Sequence, residues 1–101
     1  METWKNASTG DLKRYALIAG ALERHPHLLD FLFRADRAEL TSASSSIKRR
    51  TGSFSSGEKV LIAAALDLWN GSGKVPLMEL CRLDPNNFRN VVTAFIKMQS
   101  L

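Results

Sequence analysis

The feature that most constrains the fold is one apolar stretch at residues 54–75, which reads FSSGEKVLIAAALDLWNGSGKV. Ser55 is a favourable helix N-cap. Glu58 follows three residues later, where its carboxylate can accept a hydrogen bond from a free backbone N–H at the helix start. Asp67 is the only charged residue over 60–69, so this helix is apolar on nearly every side and belongs at the centre of a bundle. The residues expected to be buried are Leu61, Ala64, Ala65 and Leu68.

Start and stop signals along the rest of the chain predict an all-α fold of five helices in a single domain of 101 residues. Pro26 should end the first helix and open the second, which gives an antiparallel helical hairpin. Asp84 followed by Pro85 is a strong signal for the start of the last helix. The expected helices cover about 9–25, 26–40, 54–69, 76–81 and 85–98.

A change of composition at residues 41–53, TSASSSIKRRTGS, divides the chain. Serine-rich polar sequence has too little apolar surface to fold by itself, so a mobile basic linker is predicted here. It would join a hairpin at 1–40 to a three-helix unit at 54–101. Residues 41–59 carry four basic side chains against one acidic, so most of the net charge of +4 lies in this segment.

The composition excludes several classes of protein. No run of about 18 apolar residues is present, so no membrane span is predicted, and without an apolar leader a cytoplasmic location is expected. The lone Cys81 cannot form an intrachain disulfide and, between leucines, is expected to be buried. His25 and His27 have no acidic or cysteine partner at ligand spacing, so turn histidines without a metal are expected.

The segment Phe54–Lys59 resembles the signature motif of ATP-binding cassette and SMC-type ATPases, in which a serine–glycine turn at a helix start meets nucleotide phosphate. The resemblance covers six residues, and the chain has no G-x-x-x-x-G-K-[ST] loop to hold phosphates. A helix capping box accounts for the same residues without a bound nucleotide. Serines lie outside any G-x-S-x-G turn, so we expect no enzyme activity, no catalytic residue and no cofactor.

A short helix, a tight turn and a longer helix at the end of the chain resemble a helix-turn-helix skeleton. Asparagine and arginine on the polar stripe of the last helix suit adenine and guanine edges, while the basic linker suits phosphates. The first hypothesis is therefore a nucleic-acid-binding protein, DNA-binding and regulatory. Its predicted binding residues are Lys48, Arg49, Arg50, Lys59, Asn86, Arg89, Asn90, Thr93 and Lys97.

The second hypothesis is a protein-interaction module, either an adaptor, an inhibitor or a subunit, that uses an apolar helical surface. Phe31 and Phe33 point to opposite sides of one predicted helix, so one of them is expected to face a partner. A flexible linker would also permit exchange between two copies in a homodimer. The sequence leaves both hypotheses open.

Overall fold

The computed structural model describes residues 9–34 and 39–101, and this part of the chain is all-α, with no strand beyond one isolated bridge. The helices are α1 (Thr9–Ala21), α2 (Pro26–Leu32), α3 (Ser44–Arg49), α4 (Ser56–Asn70), α5 (Leu77–Leu80) and α6 (Pro85–Met98). The helical fold class is confirmed. The count of five is wrong, because α3 lies where the sequence predicts a linker.

Helix α4 lies at the centre of the fold, as its composition predicts. Its capping box is complete: Ser55 Oγ accepts from the Glu58 N–H at 3.1 Å, and the Ser55 N–H donates to Glu58 Oε1 at 2.9 Å. Gly71 ends the helix with a φ of 75°, the left-handed conformation that glycine adopts without strain. Helices α1, α2, α5 and α6 all contact α4. All four residues predicted to be buried are buried: Leu61, Ala64, Ala65 and Leu68.

Helices α1 and α6 form the most extensive helix pair, so the beginning and the end of the chain share one core. The two helices run antiparallel, because the C-terminus of α1 lies beside the N-terminus of α6. There, Nη1 of Arg24 is 3.5 Å from Oδ1 of Asp84. The residues that α1 buries are Ile18 and Ala21, and Leu22, directly after the helix, is buried as well. Ala16, two residues before the buried Ile18 on α1, is exposed.

Helix α2 ends at Leu32, well before the predicted end at Leu40. Phe33 is extended and forms a bridge with Leu40, and the Thr41 N–H donates to the Leu32 carbonyl at 2.8 Å. The returning chain therefore provides a hydrogen-bond donor for a carbonyl at the end of α2. In a longer helix that carbonyl would accept from the next turn. Residues 35–38 of the predicted helix lie outside the described part of the chain.

Helix α3 corrects the prediction of an unstructured segment at 41–53. Ile47, the single large apolar residue of its sequence, has 0% of its surface exposed and anchors the helix to the core. At the other end, Ser44 Oγ accepts hydrogen bonds from Ser72 Oγ at 2.9 Å and from Asn70 Nδ2 at 3.3 Å. One buried side chain and two polar contacts are enough to order a segment whose composition alone predicts a linker.

Cys81, expected to be buried, is exposed directly after α5, although the neighbouring Leu80 is buried in the core. None of the helices in 9–34 and 39–101 combines the length and the apolar character needed to cross a membrane.

Candidate functional site

Three lysines from separate segments line one cavity of about 350 Å³, here called the lysine cavity. Lys48 comes from α3, Lys59 from the first turns of α4, and Lys74 from the loop that follows α4. No aspartate or glutamate is among the described residues that line it. Its remaining lining residues are Thr51, Ile62, Ala63, Leu66, Gly73 and Pro76. The cavity therefore has an apolar floor and a rim of positive charge.

The loop that carries Lys74 is held rigidly against α4. Asp67 accepts hydrogen bonds from the backbone N–H groups of Lys74 at 2.8 Å and Val75 at 2.9 Å. Gly73 lies so close to α4 that a Cβ there would be 1.8 Å from the carbonyl oxygen of Ala63. Lys74 has a φ of 52°, which is uncommon for a residue with a side chain and needs such support.

Arg49 and Arg50, two of the three arginines of the predicted site, lie at the end of α3 and are exposed. Arg49 Nη2 donates to Ser46 Oγ one turn earlier, at 3.3 Å. The guanidinium of Arg50 lies 5.4 Å from the centroid of the Phe31 ring, within the range of a cation–π contact. The stacking orients Arg50 while leaving its N–H groups available to a ligand.

The predicted residues of α6 lie in a different place from the lysine cavity. Asn90, Thr93 and Lys97 border a groove of about 190 Å³ whose other wall is α1. Asn86 and Arg89 are exposed on the outer side of α6.

Helix α4 separates these two regions. Ile62, Ala63 and Leu66 follow Lys59 at helical spacing and face the lysine cavity with it. Val60 and Leu61 turn to other sides and line a cavity that includes Asn87 of α6. The predicted residues of α3 and α4 and those of α6 therefore do not line a common cavity.

A second cavity, of about 380 Å³, lies at the N-terminus of α4 and is bordered by the start of α6. Asp84 caps α6 by accepting from the Asn87 N–H at 3.0 Å, and it also accepts from Asn87 Nδ2 at 2.8 Å. The hydrogen bond from the Asn87 backbone N–H, and after it the positive charge of Arg24, hold the pKa of Asp84 below its usual range. The residues that bring charge or imidazole to this cavity are His25, Glu58, Glu79, Arg82 and Asp84.

The two histidines of the α1–α2 turn have an acidic partner that the sequence did not indicate. His27 Nε2 lies 2.6 Å from Glu58 Oε2, although the two residues are 31 positions apart. Ligand atoms of His25, His27 and Glu58 all lie within 4.8 Å of one another. The backbone N–H of Ser55, and then the His27 ring, lower the pKa of Glu58. The expectation that no acidic group stands beside these histidines is therefore wrong.

Apolar side chains are exposed at places other than the predicted ones. Phe33 is buried, with its ring edge-on to Tyr15 and Trp69, and Phe31 is half-buried against Phe54. Neither ring is presented openly to a partner. Among the described residues, the large apolar side chains that are exposed are Leu77, Met78, Ile96 and Leu101.

The sequence matches no protein-family model, and no curated protein or solved structure matches it significantly. The cavities and their side chains are therefore the evidence on function.

Lys74 is the functional candidate that sequence reasoning missed. The available signal was its position directly after Gly71 and Gly73, in a loop that must turn tightly beside α4.

Proposed function

We propose that the protein binds nucleic acid through the phosphate backbone, at the lysine cavity. The observation that carries this proposal is the convergence of Lys48, Lys59 and Lys74 on one cavity without a described acidic residue in its lining. Ammonium groups are point charges suited to phosphate oxygens, and their binding releases condensed counterions. Such binding tolerates many sequences, because the backbone is the same in each.

The rigidity of the loop favours this proposal. Asp67 and Gly73 hold Lys74 in its unusual backbone conformation before any ligand arrives. A phosphate that binds there meets a backbone that is already ordered, so less conformational entropy is lost on binding. Strained backbone of this kind is often found where a chain positions a ligand-binding group.

The end of α3 extends the same positive surface. Lys48 lines the cavity, and Arg49 and Arg50 follow it directly in the chain. Arg50 is stacked on Phe31, which pre-orients a planar group that can bind a phosphate with two parallel hydrogen bonds.

A finer version of the proposal treats α5, the turn at 81–84 and α6 as a helix-turn-helix-like unit. In this version α6 reads bases through Arg89 and Asn90, while the lysine cavity holds the backbone. The exposure of Arg89 favours it. The position of Asn90 in a groove against α1, and the separation of the two surfaces by α4, make backbone binding the principal component of the proposal.

The test is a fluorescence-anisotropy titration of labelled duplex DNA and single-stranded RNA at several salt concentrations. With three phosphate contacts, the slope of log K against log salt should be roughly −3, at about 0.9 per contact. Lys59→Glu should weaken binding to all sequences and flatten the slope by about 1 or more. The matched control is Lys13→Glu, which makes the same charge change at an exposed position on α1.

Equal loss of binding in both variants would mean that net charge alone attracts the nucleic acid. No binding by the parent protein at micromolar concentration in low salt would contradict the proposal outright. The base-reading version has its own readout, since Arg89→Ala or Asn90→Ala should reduce discrimination between sequences by about 1–3 kcal/mol for each good contact.

A second candidate function, a protein-interaction module, is favoured by one observation. Leu77 and Met78, neighbours on α5, have 72% and 69% of their surface exposed. Their partner would be an apolar helical surface of another protein, because exposed aliphatic side chains bind by burial of apolar area. Replacing both with glutamine should abolish partner capture and leave nucleic-acid binding intact, which separates the two functions.

A further inference from the structure

We propose that His25, His27 and Glu58 form a zinc-binding site that joins the α1–α2 turn to the N-terminus of α4. Two imidazoles and one carboxylate are among the ligand sets that zinc takes in proteins, with a water molecule in the remaining position. The three ligand atoms lie within 4.8 Å of one another.

The geometry needs only small changes to accept the ion. A tetrahedral zinc ion with ligand distances of about 2.0–2.2 Å holds its ligand atoms about 3.3–3.6 Å apart. The His27–Glu58 pair, at 2.6 Å, is closer than this because the two groups share a hydrogen bond. Zinc would take the place of the shared proton, and rotation of the exposed His27 ring and the half-buried His25 ring can supply the shift of about one ångström that is required.

The backbone around the site is already ordered by local interactions. Pro26 stands at the first position of α2, and the N–H of His25 donates to the Leu22 carbonyl at 2.8 Å. Glu58 Oε1 is held by the Ser55 N–H, which presents Oε2 toward His27. The capping box that begins α4 thereby also orients the carboxylate ligand.

The surroundings favour metal binding in two further ways. The Phe54 ring lies 6.4 Å from the His27 ring, between centroids, and provides an apolar wall on one side. His25 and Glu58 also line the cavity of about 380 Å³, which offers room for a water molecule as the fourth ligand.

The test uses the purified chain without a histidine tag, with zinc titrated in competition with a chromophoric chelator. The parent protein should bind one equivalent of zinc and should not bind magnesium, which prefers oxygen ligands. His25→Ala, His27→Ala and Glu58→Gln should each weaken zinc binding at least about 100-fold, because even groups that only support a ligand are worth about 10–100-fold.

Two features keep the result interpretable. Glutamine at position 58 can still complete the capping box, so Glu58→Gln removes the ligand charge while α4 keeps its cap. Glu79→Gln is the matched control, because Glu79 borders the same cavity but is not part of the cluster, and it should bind zinc like the parent. Zinc should also raise the melting temperature of the parent but not that of Glu58→Gln. Absence of one-equivalent binding, or unchanged affinity in any of the three ligand variants, would overturn the proposal.

Discussion

The carboxylate of Asp67, the only charged side chain in the apolar part of α4, accepts a hydrogen bond from the backbone N–H of Lys74 at 2.8 Å. This contact links the central helix to the rim of the lysine cavity. Asp67 therefore holds the loop that follows α4 against the helix.

Asp67→Ala should destabilise the protein by about 1–2 kcal/mol, because two backbone N–H groups lose their acceptor. Asp67→Asn should cost less, since its amide oxygen can still accept. Urea denaturation measures both, with Glu23→Ala at an exposed position as the control. If Asp67→Ala and Glu23→Ala have the same midpoint, the hydrogen bonds do not stabilise the loop.

Gly73→Ala should destabilise the fold by about 1–3 kcal/mol or more, as overpacking does, because the added Cβ would meet the Ala63 carbonyl oxygen. Gly20→Ala is the natural comparison, since a Cβ there meets nothing within 4 Å and alanine favours a helix by about 0.5–1 kcal/mol. Thermal denaturation should therefore move in opposite directions for the two variants. A Gly73→Ala protein that melts like the parent would contradict the close approach of the loop to α4.

Ile47→Ala should release α3, because Ile47 is its only buried residue. Truncating a buried isoleucine costs about 2–5 kcal/mol. Brief digestion with trypsin should then cut faster after Lys48, Arg49 and Arg50 in the variant than in the parent protein. The control is Ser45→Ala on the exposed side of α3, which should be digested at the parental rate.

Acid should destabilise the protein partly through Glu58. Its pKa in the folded state is lowered from an ordinary value of 4.5, first by the Ser55 N–H and then by His27. The stability that this carboxylate contributes is therefore complete above pH 4.5 and is lost as the pH falls through the lowered value. Glu58→Gln should flatten the dependence of the unfolding free energy on pH in that acid range, measured by denaturation at successive pH values. An unchanged pH profile would show that Glu58 titrates normally.

Features that depend on neighbouring residues in the chain were predictable. The capping box of Ser55 and Glu58 and the start of α6 at Asp84 and Pro85 both involve groups within one helical turn, and both occur as predicted. The central position of α4 followed from its apolar character on several sides.

Features that depend on tertiary contacts were not predictable from local pattern. The order of α3 depends on a pocket for Ile47 that other helices provide. The meeting of His27 with Glu58 requires the α1–α2 turn to pack on the N-terminus of α4, and no spacing within either segment indicates it. The polar stripe of α6 is visible as a sequence pattern, but its position beside α1 depends on tertiary packing.

The pairing of α1 with α6 has a consequence for how the chain folds during synthesis. Helix α1 is synthesised before α6, the helix with which it packs most extensively, so their shared core cannot close until residues 85–98 have emerged from the ribosome. Closing so long a loop costs entropy before the contacts form, which makes this step a natural candidate for the rate-limiting event. Until then Ile18 on α1 and Leu22 just beyond it stay available to a chaperone.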